Sequence, residues 1–431
     1  MTSRPRVLII AEAANPEWVS VPLVGWSLAT ALREIADVHI VTQVRNRGAF
    51  LRTGMREGID FTSIDSEKFA APLWKLGARF SGSGKGWTLL TAVSALAYPY
   101  FERLVWKRFG ADIRAGRFDI VHRVTPLTPT TPSPLARRCA RAGVPFVLGP
   151  LNGGVPWPAG FDAERRRERE WLSYVRGLYK LMPGRRATLK HSAAILVGSR
   201  HTQSEVPAAF QPRCIYLPEN GLDPARFGRV PDREPSSQLR ICFIGRLVPY
   251  KGCDMLVEAA VPSLRDGRAT LDVVGDGPMM AALVEQVRAA GVEGAVRFHG
   301  WVAHADVPAI AAGCDLFGFP SVREFGGGAV LEAMAMGLAP LVVDYAGPGE
   351  LVGPSVGYKV PIGQRAEIVA SVRAALERIA ADPEDRKARA ARARERALDL
   401  FAWPEKARQV ERVYRWVLGG GARPQLVEEC A

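Results

Sequence analysis

Short apolar runs alternate with helix-length stretches along this chain, break off once, and begin again, and that rhythm admits few folds. Val7 to Ala11, Val38 to Thr42, Phe118 to His122, Pro145 to Gly149, Ala194 to Gly198 and Ile215 to Pro218 read as strands, with Leu23 to Ile35 as an amphipathic helix. Near-continuous apolar strands with helices between them predict a parallel sheet covered on both faces. Pro224 to Ser237, PARFGRVPDREPSS, has no periodicity and reads as an interdomain linker. After it come strand-like Arg240 to Gly245, Leu271 to Gly275, Val296 to Gly300, Leu316 to Pro320 and Leu341 to Asp344, each followed by a helix-like segment. Gln364 to Ala397 reads as one or two Ala/Arg-rich helices. Pro404 to Leu418 reads as a last amphipathic helix with Val410, Val413, Tyr414 and Val417 on one side. At 431 residues the chain is too long for one ordinary core. Two doubly wound α/β domains are the expectation, with a ligand in the cleft at the carboxyl ends of the strands.

Composition narrows the class. Hydrophobic content of 48% with 23% charged residues is that of a soluble globular protein. The longest apolar candidate for a membrane span, Trp87 to Phe101, is too short and is interrupted by Thr88, Thr91, Ser94 and Pro99. The N-terminus runs into a strand without the apolar segment of a secretory signal, so a cytoplasmic protein is expected. Cysteines 139, 214, 242, 253, 314 and 430 show neither CxxC spacing nor a Cys/His cluster, so they are expected to be reduced and buried, with no metal site. The net charge of +13 suits an anionic partner: nucleic acid, acidic lipid or a phosphorylated substrate. No nucleic-acid signature occurs, so that partner is not expected. Basic and aromatic residues interleave in Lys68 to Arg117 and in Arg165 to Lys190. Such stretches either rest on an anionic membrane surface or form solvated helices whose aromatics face the core.

The most chemically informative segment is Arg323 to Gly337, REFGGGAVLEAMAMG. An apolar strand ends at Pro320, three glycines follow, and Ala329 to Met336 is strong helix-forming sequence. Glu324 then lies on the strand-to-helix loop and Glu332 about one turn into the helix, whose free amides favour an anion. Each glutamate alone would pass as a solvated or dipole-complementing residue. Together beside an anion site, they suit a ligand carrying both sugar hydroxyls and phosphates. Further upstream, Gly245-Arg246-Leu247-Val248-Pro249-Tyr250-Lys251-Gly252 places two cations on a turn after a strand. They can grip a diphosphate or be two exposed basic residues. Val274-Gly275-Asp276-Gly277-Pro278 has the GxG of a dinucleotide fingerprint without its third glycine, and Gly82-Ser83-Gly84-Lys85-Gly86 fails as a phosphate loop.

GRLVPYKG, VVGDGP, VRFHGWV, FPSVREFGGGAVLEAMAMG and VVDYAGPGELV, in that order, resemble glycosyltransferase family four, retaining enzymes of the GT-B fold. The similarity spans the second half and extends more weakly to Pro218 to Asp223 and to Phe401-Ala402-Trp403. It implies an acceptor-side Rossmann-like domain at 1–223, a linker at 224–238, a nucleotide-sugar domain at 239–402, and a C-terminal helix at 403–431 crossing back to the first domain. It implies that Arg246 and Lys251 hold the donor diphosphate, that Glu324 accepts hydrogen bonds from the donor sugar, and that Glu332 accepts them from the ribose. Backbone at Phe325, Gly326, Gly327 and Gly328 would touch the sugar and distal phosphate. Gly245 would shape the diphosphate turn, while Gly275 and the loop carrying Trp301 and Val302 would line the base. His122, in Asp119-Ile120-Val121-His122, matches a histidine that faces the donor sugar, the alternative being a structural histidine. A nucleotide-sugar donor, a glycan or lipid-linked acceptor and no cofactor or metal are implied.

The sequence departs from the family in two places. The loop after the first strand, Glu12-Ala13-Ala14-Asn15-Pro16, lacks the usual paired glycines, and Gly153-Gly154 follows a different strand. The signature reads Glu-Phe-Gly rather than Glu-x-Phe-Gly. Competing functions are a nucleotide-sugar epimerase or hydrolase of the same fold and a catalytically silent nucleotide- or glycan-binding subunit. An oxidoreductase fits least, because the full dinucleotide fingerprint is missing.

Overall fold

The computed structural model describes residues 4–67, 87–153, 155–167, 182–227, 236 and 238–427. Residues 68–86 and 168–181 of the two basic-aromatic stretches, with the Gly82 to Gly86 segment, lie outside the described residues. So do 228–235 and 237 of the expected linker, and Cys430. Two compact units divide the chain. The first comprises Met1–Gly154, Arg166–Gly221 and Trp403–Glu428; the second comprises Val155–Arg165, Leu222–Ala402 and Glu429–Ala431.

The first unit holds a seven-stranded sheet, parallel throughout, in the order β3-β2-β1-β4-β5-β6-β7. Its strands are β1 Arg6–Ala11, β2 Asp37–Gln43, β3 Phe61–Ile64, β4 Ile120–Thr125, β5 Phe146–Leu151, β6 Ala194–Val197 and β7 Cys214–Tyr216. Every residue of β4, β5 and β6 is buried, as helices on both faces require. Two expectations need correction. β3 is a four-residue edge strand that the apolar pattern did not announce. β4 starts at Ile120 and continues to Thr125, because Arg123 and Thr125 are buried partners inside the sheet. The Arg123 guanidinium donates to the Thr131 carbonyl at 2.8 Å and lies over the Tyr98 ring at 5.4 Å.

The last helix, Trp403–Gly419, packs in this unit with Val410, Val413 and Tyr414 buried. It is anchored by Lys406, whose fully buried ammonium donates to the Pro218 carbonyl. Burial pushes that ammonium down to about 7, and Glu219 acts the other way. Glu219 in turn accepts from Asn152 Nδ2 at 2.6 Å.

The second unit holds a six-stranded parallel sheet, β10-β9-β8-β11-β12-β13. Its strands are β8 Leu239–Ile244, β9 Ala269–Val274, β10 Val296–Gly300, β11 Leu316–Phe319, β12 Ala339–Val343 and β13 Tyr358–Val360. β13, three residues at the sheet edge, was likewise not expected. Phe243 of β8 and Phe317 and Phe319 of β11 are fully buried, the last two stacked at 5.3 Å. Burying such a ring stabilises the fold by roughly 1.5–3 kcal/mol. The Ala/Arg-rich region resolves into Arg365–Ala381 and Pro383–Phe401. A capping box of Gln364 and Glu367 starts the first, and Pro383 forces a new start after Asp382. The beginning of the expected linker, Pro224–Phe227, is a 3₁₀ turn with Phe227 buried in this unit.

Chain order reverses between β8 and β11. Successive strands step outward through β9 and β10 on one side, and through β12 and β13 on the other. Loops leaving neighbouring strands at such a reversal diverge and open a crevice at their carboxyl ends. Among the described residues, no helix is long and apolar enough to cross a membrane.

Candidate functional site

The loops leaving β8 and β11 carry the residues that the sequence singled out. Lys251 ends a 3₁₀ turn, Pro249–Lys251, after β8. Glu324 follows β11. Across the reversal the Lys251 ammonium is paired with Glu324 Oε2, and both side chains are largely shielded from water. Lys251 also lies 5.1 Å from the Phe319 ring centre and 5.9 Å from that of Tyr250. Burial pushes its ammonium down to about 8. A cation and an acid on divergent loops are therefore held together, half-buried and mutually neutralised.

The loops around this pair are fastened to one another. Ser321 Oγ donates to the Tyr250 carbonyl at 3.0 Å, and Val322 N–H donates to the same carbonyl at 2.9 Å. Gly347 N–H donates to the Glu324 carbonyl at 3.2 Å. Gly245 N–H donates to the Val274 carbonyl at 2.9 Å, and Gly275 N–H to the Gly300 carbonyl at 2.8 Å. Gly275 has φ 139°, and a Cβ there would come within 1.9 Å of the Gly245 carbonyl oxygen, so only glycine lets these loops meet.

Gly327 adopts φ 62°, a left-handed turn that starts the helix Gly328–Ala335. Val330 and Leu331 N–H fold back on the Gly327 carbonyl. Among the described residues, the N–H groups of Gly328 and Ala329 have no acceptor, and they add to the positive end of the helix. Gly326 is buried and Phe325 half-buried beside them. Glu332, one turn along, accepts from His304 Nε2 at 2.8 Å. Trp301, in the same loop as His304, is 78% exposed and Val302 is half-buried. Arg246 is exposed and bonds to no described side chain. Among the described residues, no three His, Cys, Asp or Glu side chains group as a metal site.

The structure thus places Gly245, Arg246, Lys251, Gly275, Trp301, Val302, Glu324 and Phe325 to Gly327 on loops that follow strands of one sheet, with Gly328 and Glu332 on the helix that follows the last of these loops. His122 is different and requires correction. It lies in the middle of β4 rather than at its end, fully buried in the first unit, with both ring nitrogens engaged. Nδ1 is 2.7 Å from Tyr414 Oη and Nε2 is 2.7 Å from the Gly149 carbonyl oxygen. Its ring meets that of Tyr414 edge-on at 5.7 Å. That is the geometry of a structural histidine tying β4, β5 and the last helix together. His304 and its bond to Glu332 were missed by the sequence reading. Its position three residues after Trp301, in a loop already singled out, was the available signal.

Comparison with known proteins shows what the chain and its fold resemble. Residues 228–396 match the family described as Glycosyl transferases group 1. Glycogen synthase of Mycobacterium tuberculosis is 29% identical over 241 residues, covering 55% of this chain and 57% of that protein. A GDP-mannose-dependent alpha-(1-6)-phosphatidylinositol monomannoside mannosyltransferase of the same organism is 32% identical over 198 residues, covering 42% and 49%. The chain spans about half the length of these relatives. The 2-deoxystreptamine glucosyltransferase of Streptomyces kanamyceticus is 29% identical over 295 residues, covering 64% and 75%. HepE of Anabaena, solved with UDP, superposes with a TM-score of 0.58 at 16% identity, covering 95% of this chain and 99% of that one. A glycosyltransferase of Rickettsia africae superposes at 0.62 with 12% identity, covering 97% and 100%. The fold is GT-B. Within that fold, residues 228–396 are similar to the group 1 glycosyl transferases.

The setting of His122 makes stability depend on acidity. Folding buries the imidazole and lowers its pKa from 6.5 to about 4, with the Gly149 carbonyl acting weakly the other way. The contribution is present above about 6.5 and is lost as pH falls toward 4, on the order of 3 kcal/mol in all. Urea unfolding at successive pH values is expected to show this decline in the wild type and a flatter one in His122→Asn. Equal slopes would remove His122 as its source.

Proposed function

We propose that this chain is a retaining glycosyltransferase that moves a hexose-type sugar from a nucleotide-sugar to a glycan or lipid-linked acceptor without a metal. The observation that carries the reading is the Lys251–Glu324 pair across the strand-order reversal, beside the helix start at Gly328. A diphosphate entering here competes for Lys251 and is gripped by Arg246, whose guanidinium is free to swing onto it. The amides at Gly328 and Ala329 receive the distal phosphate. Freed of its lysine, Glu324 accepts hydrogen bonds from sugar hydroxyls, and Glu332, steadied by His304, accepts them from the ribose. The exposed Trp301 indole offers a face for the base, next to Val302 and Gly275. No part in the reaction is proposed for His122.

In the reaction the bond between sugar C1 and the phosphate oxygen breaks as C1 bonds to the acceptor hydroxyl oxygen on the same face. The acceptor's proton passes to the departing phosphate oxygen. Negative charge grows on that phosphate, where Arg246, Lys251 and the helix start are already fixed. Removing one such preorganised group typically raises the barrier by about 3–4 kcal/mol. Two cations and the amides offset the diphosphate, which leaves no charge for a divalent ion to neutralise. Similarity to the phosphatidylinositol monomannoside mannosyltransferase supports a lipid-linked acceptor. The net charge of +13 supports contact with an anionic membrane surface.

A thermal-shift screen of UDP-, GDP- and ADP-sugars is expected to single out one nucleotide class, because bound ligand raises apparent stability. With that donor, Lys251→Ala and Glu324→Ala are each expected to lower kcat by about a hundredfold or more while remaining folded. Near-normal rates in both would refute the assigned roles. Excess EDTA is expected to leave turnover unchanged, and a strict demand for added divalent ion would contradict the charge argument.

A further inference from the structure

Val155–Arg165 falls in sequence between β5 and β6 of the first sheet, yet it belongs to the second compact unit. Its anchors are specific. Tyr345 Oη donates to the Pro156 carbonyl at 2.9 Å. The Trp157 ring meets that of Tyr250 edge-on at 6.0 Å. The Arg323 guanidinium carbon lies 4.8 Å from the Trp157 ring centre and 5.2 Å from that of Phe325. One short segment therefore touches the loop after β8 through Tyr250, the loop after β11 through Arg323, and the residue two beyond β12, Tyr345.

Arg323 is buried, 7% exposed, and immediately precedes Glu324. Its charge is satisfied in part by aromatic faces, an arrangement that favours a planar guanidinium and holds it in one orientation. With Arg323 fixed on one side and Gly347 bonded to the Glu324 carbonyl, the backbone at Glu324 has little freedom. The carboxylate then has one direction in which to meet Lys251, or a sugar in its place.

We propose that Trp157 is a positioning residue for Glu324: stacked on Arg323, it sets the donor-sugar subsite while leaving the phosphate and nucleoside subsites alone. The proposal rests on the reading of the second unit as a nucleotide-sugar site. Trp157 meets both Tyr250 and Arg323 through its ring, and the ring is the feature on which the proposal rests. Removing the ring lets Arg323 relax and Glu324 lose its aim; another ring in its place restores most of the aim.

The test uses the full chain, with the donor from the thermal-shift screen and its nucleoside diphosphate as probes. Trp157→Ala is expected to bind the nucleoside diphosphate within about twofold of wild type by calorimetry, yet to lose kcat by about tenfold or more. It is also expected to lose its preference for the nucleotide-sugar over the diphosphate. Trp157→Phe is expected to recover most of both. Retention of kcat and preference in Trp157→Ala overturns the proposal. So does loss of diphosphate binding in Trp157→Ala and Trp157→Phe alike, which would mark a merely structural residue. A wild-type protein that binds no nucleoside diphosphate instead fails the donor-site reading itself.

Discussion

One ion pair organises the second unit. Lys251 and Glu324 leave neighbouring strands at the point where sheet order reverses, and each would be costly to shield from water without the other. Their pairing keeps an open crevice electrically neutral until a ligand arrives with charges of its own. On the proposed reading, a diphosphate satisfies the lysine and sugar hydroxyls satisfy the carboxylate, so a molecule bearing both exchanges one set of contacts for another. A ligand offering only one of them leaves a partner stranded.

The surroundings make that exchange local. Backbone bonds from Ser321 and Val322 to Tyr250, and from Gly347 to Glu324, fasten the loops that carry the pair. Gly275 lets the β9 loop lie against Gly245, a contact no side chain would permit. The left-handed turn at Gly327 starts the next helix three residues after Glu324. A preorganised arrangement of this kind costs little to rearrange when charge develops on a bound phosphate. Within the first unit, the last helix is anchored by Lys406 and by the Tyr414 hydroxyl on His122.

Much of the fold was legible because its strands are apolar on both faces, a pattern unavailable to surface strands. β3 and β13 escaped notice because edge strands of four and three residues leave too little periodicity to detect. β4 was placed too early because Arg123 and Thr125, polar by type, are buried by partners that only the fold supplies. That shift carried His122 from a strand end to a strand centre. The placement of Arg246, Lys251, Glu324 and Glu332 after strands β8 and β11 was readable from spacing to glycines and strand ends, which are local features. Their partners were not. His304 reaches Glu332 from 28 residues away, and Trp157 reaches Arg323 from a segment that the chain order assigns to the other half. Long-range pairing of that kind leaves no mark on sequence periodicity.

The central claim is that Lys251 is held by Glu324 and must be released to a diphosphate. Calorimetric titration of UDP, GDP and ADP into wild type and Glu324→Gln tests it most directly, since the substitution removes a negative charge and frees the lysine. The account predicts that Glu324→Gln binds the preferred nucleoside diphosphate several-fold more tightly than wild type, as expected when a nearby like charge is removed. Unchanged or weaker binding would contradict it.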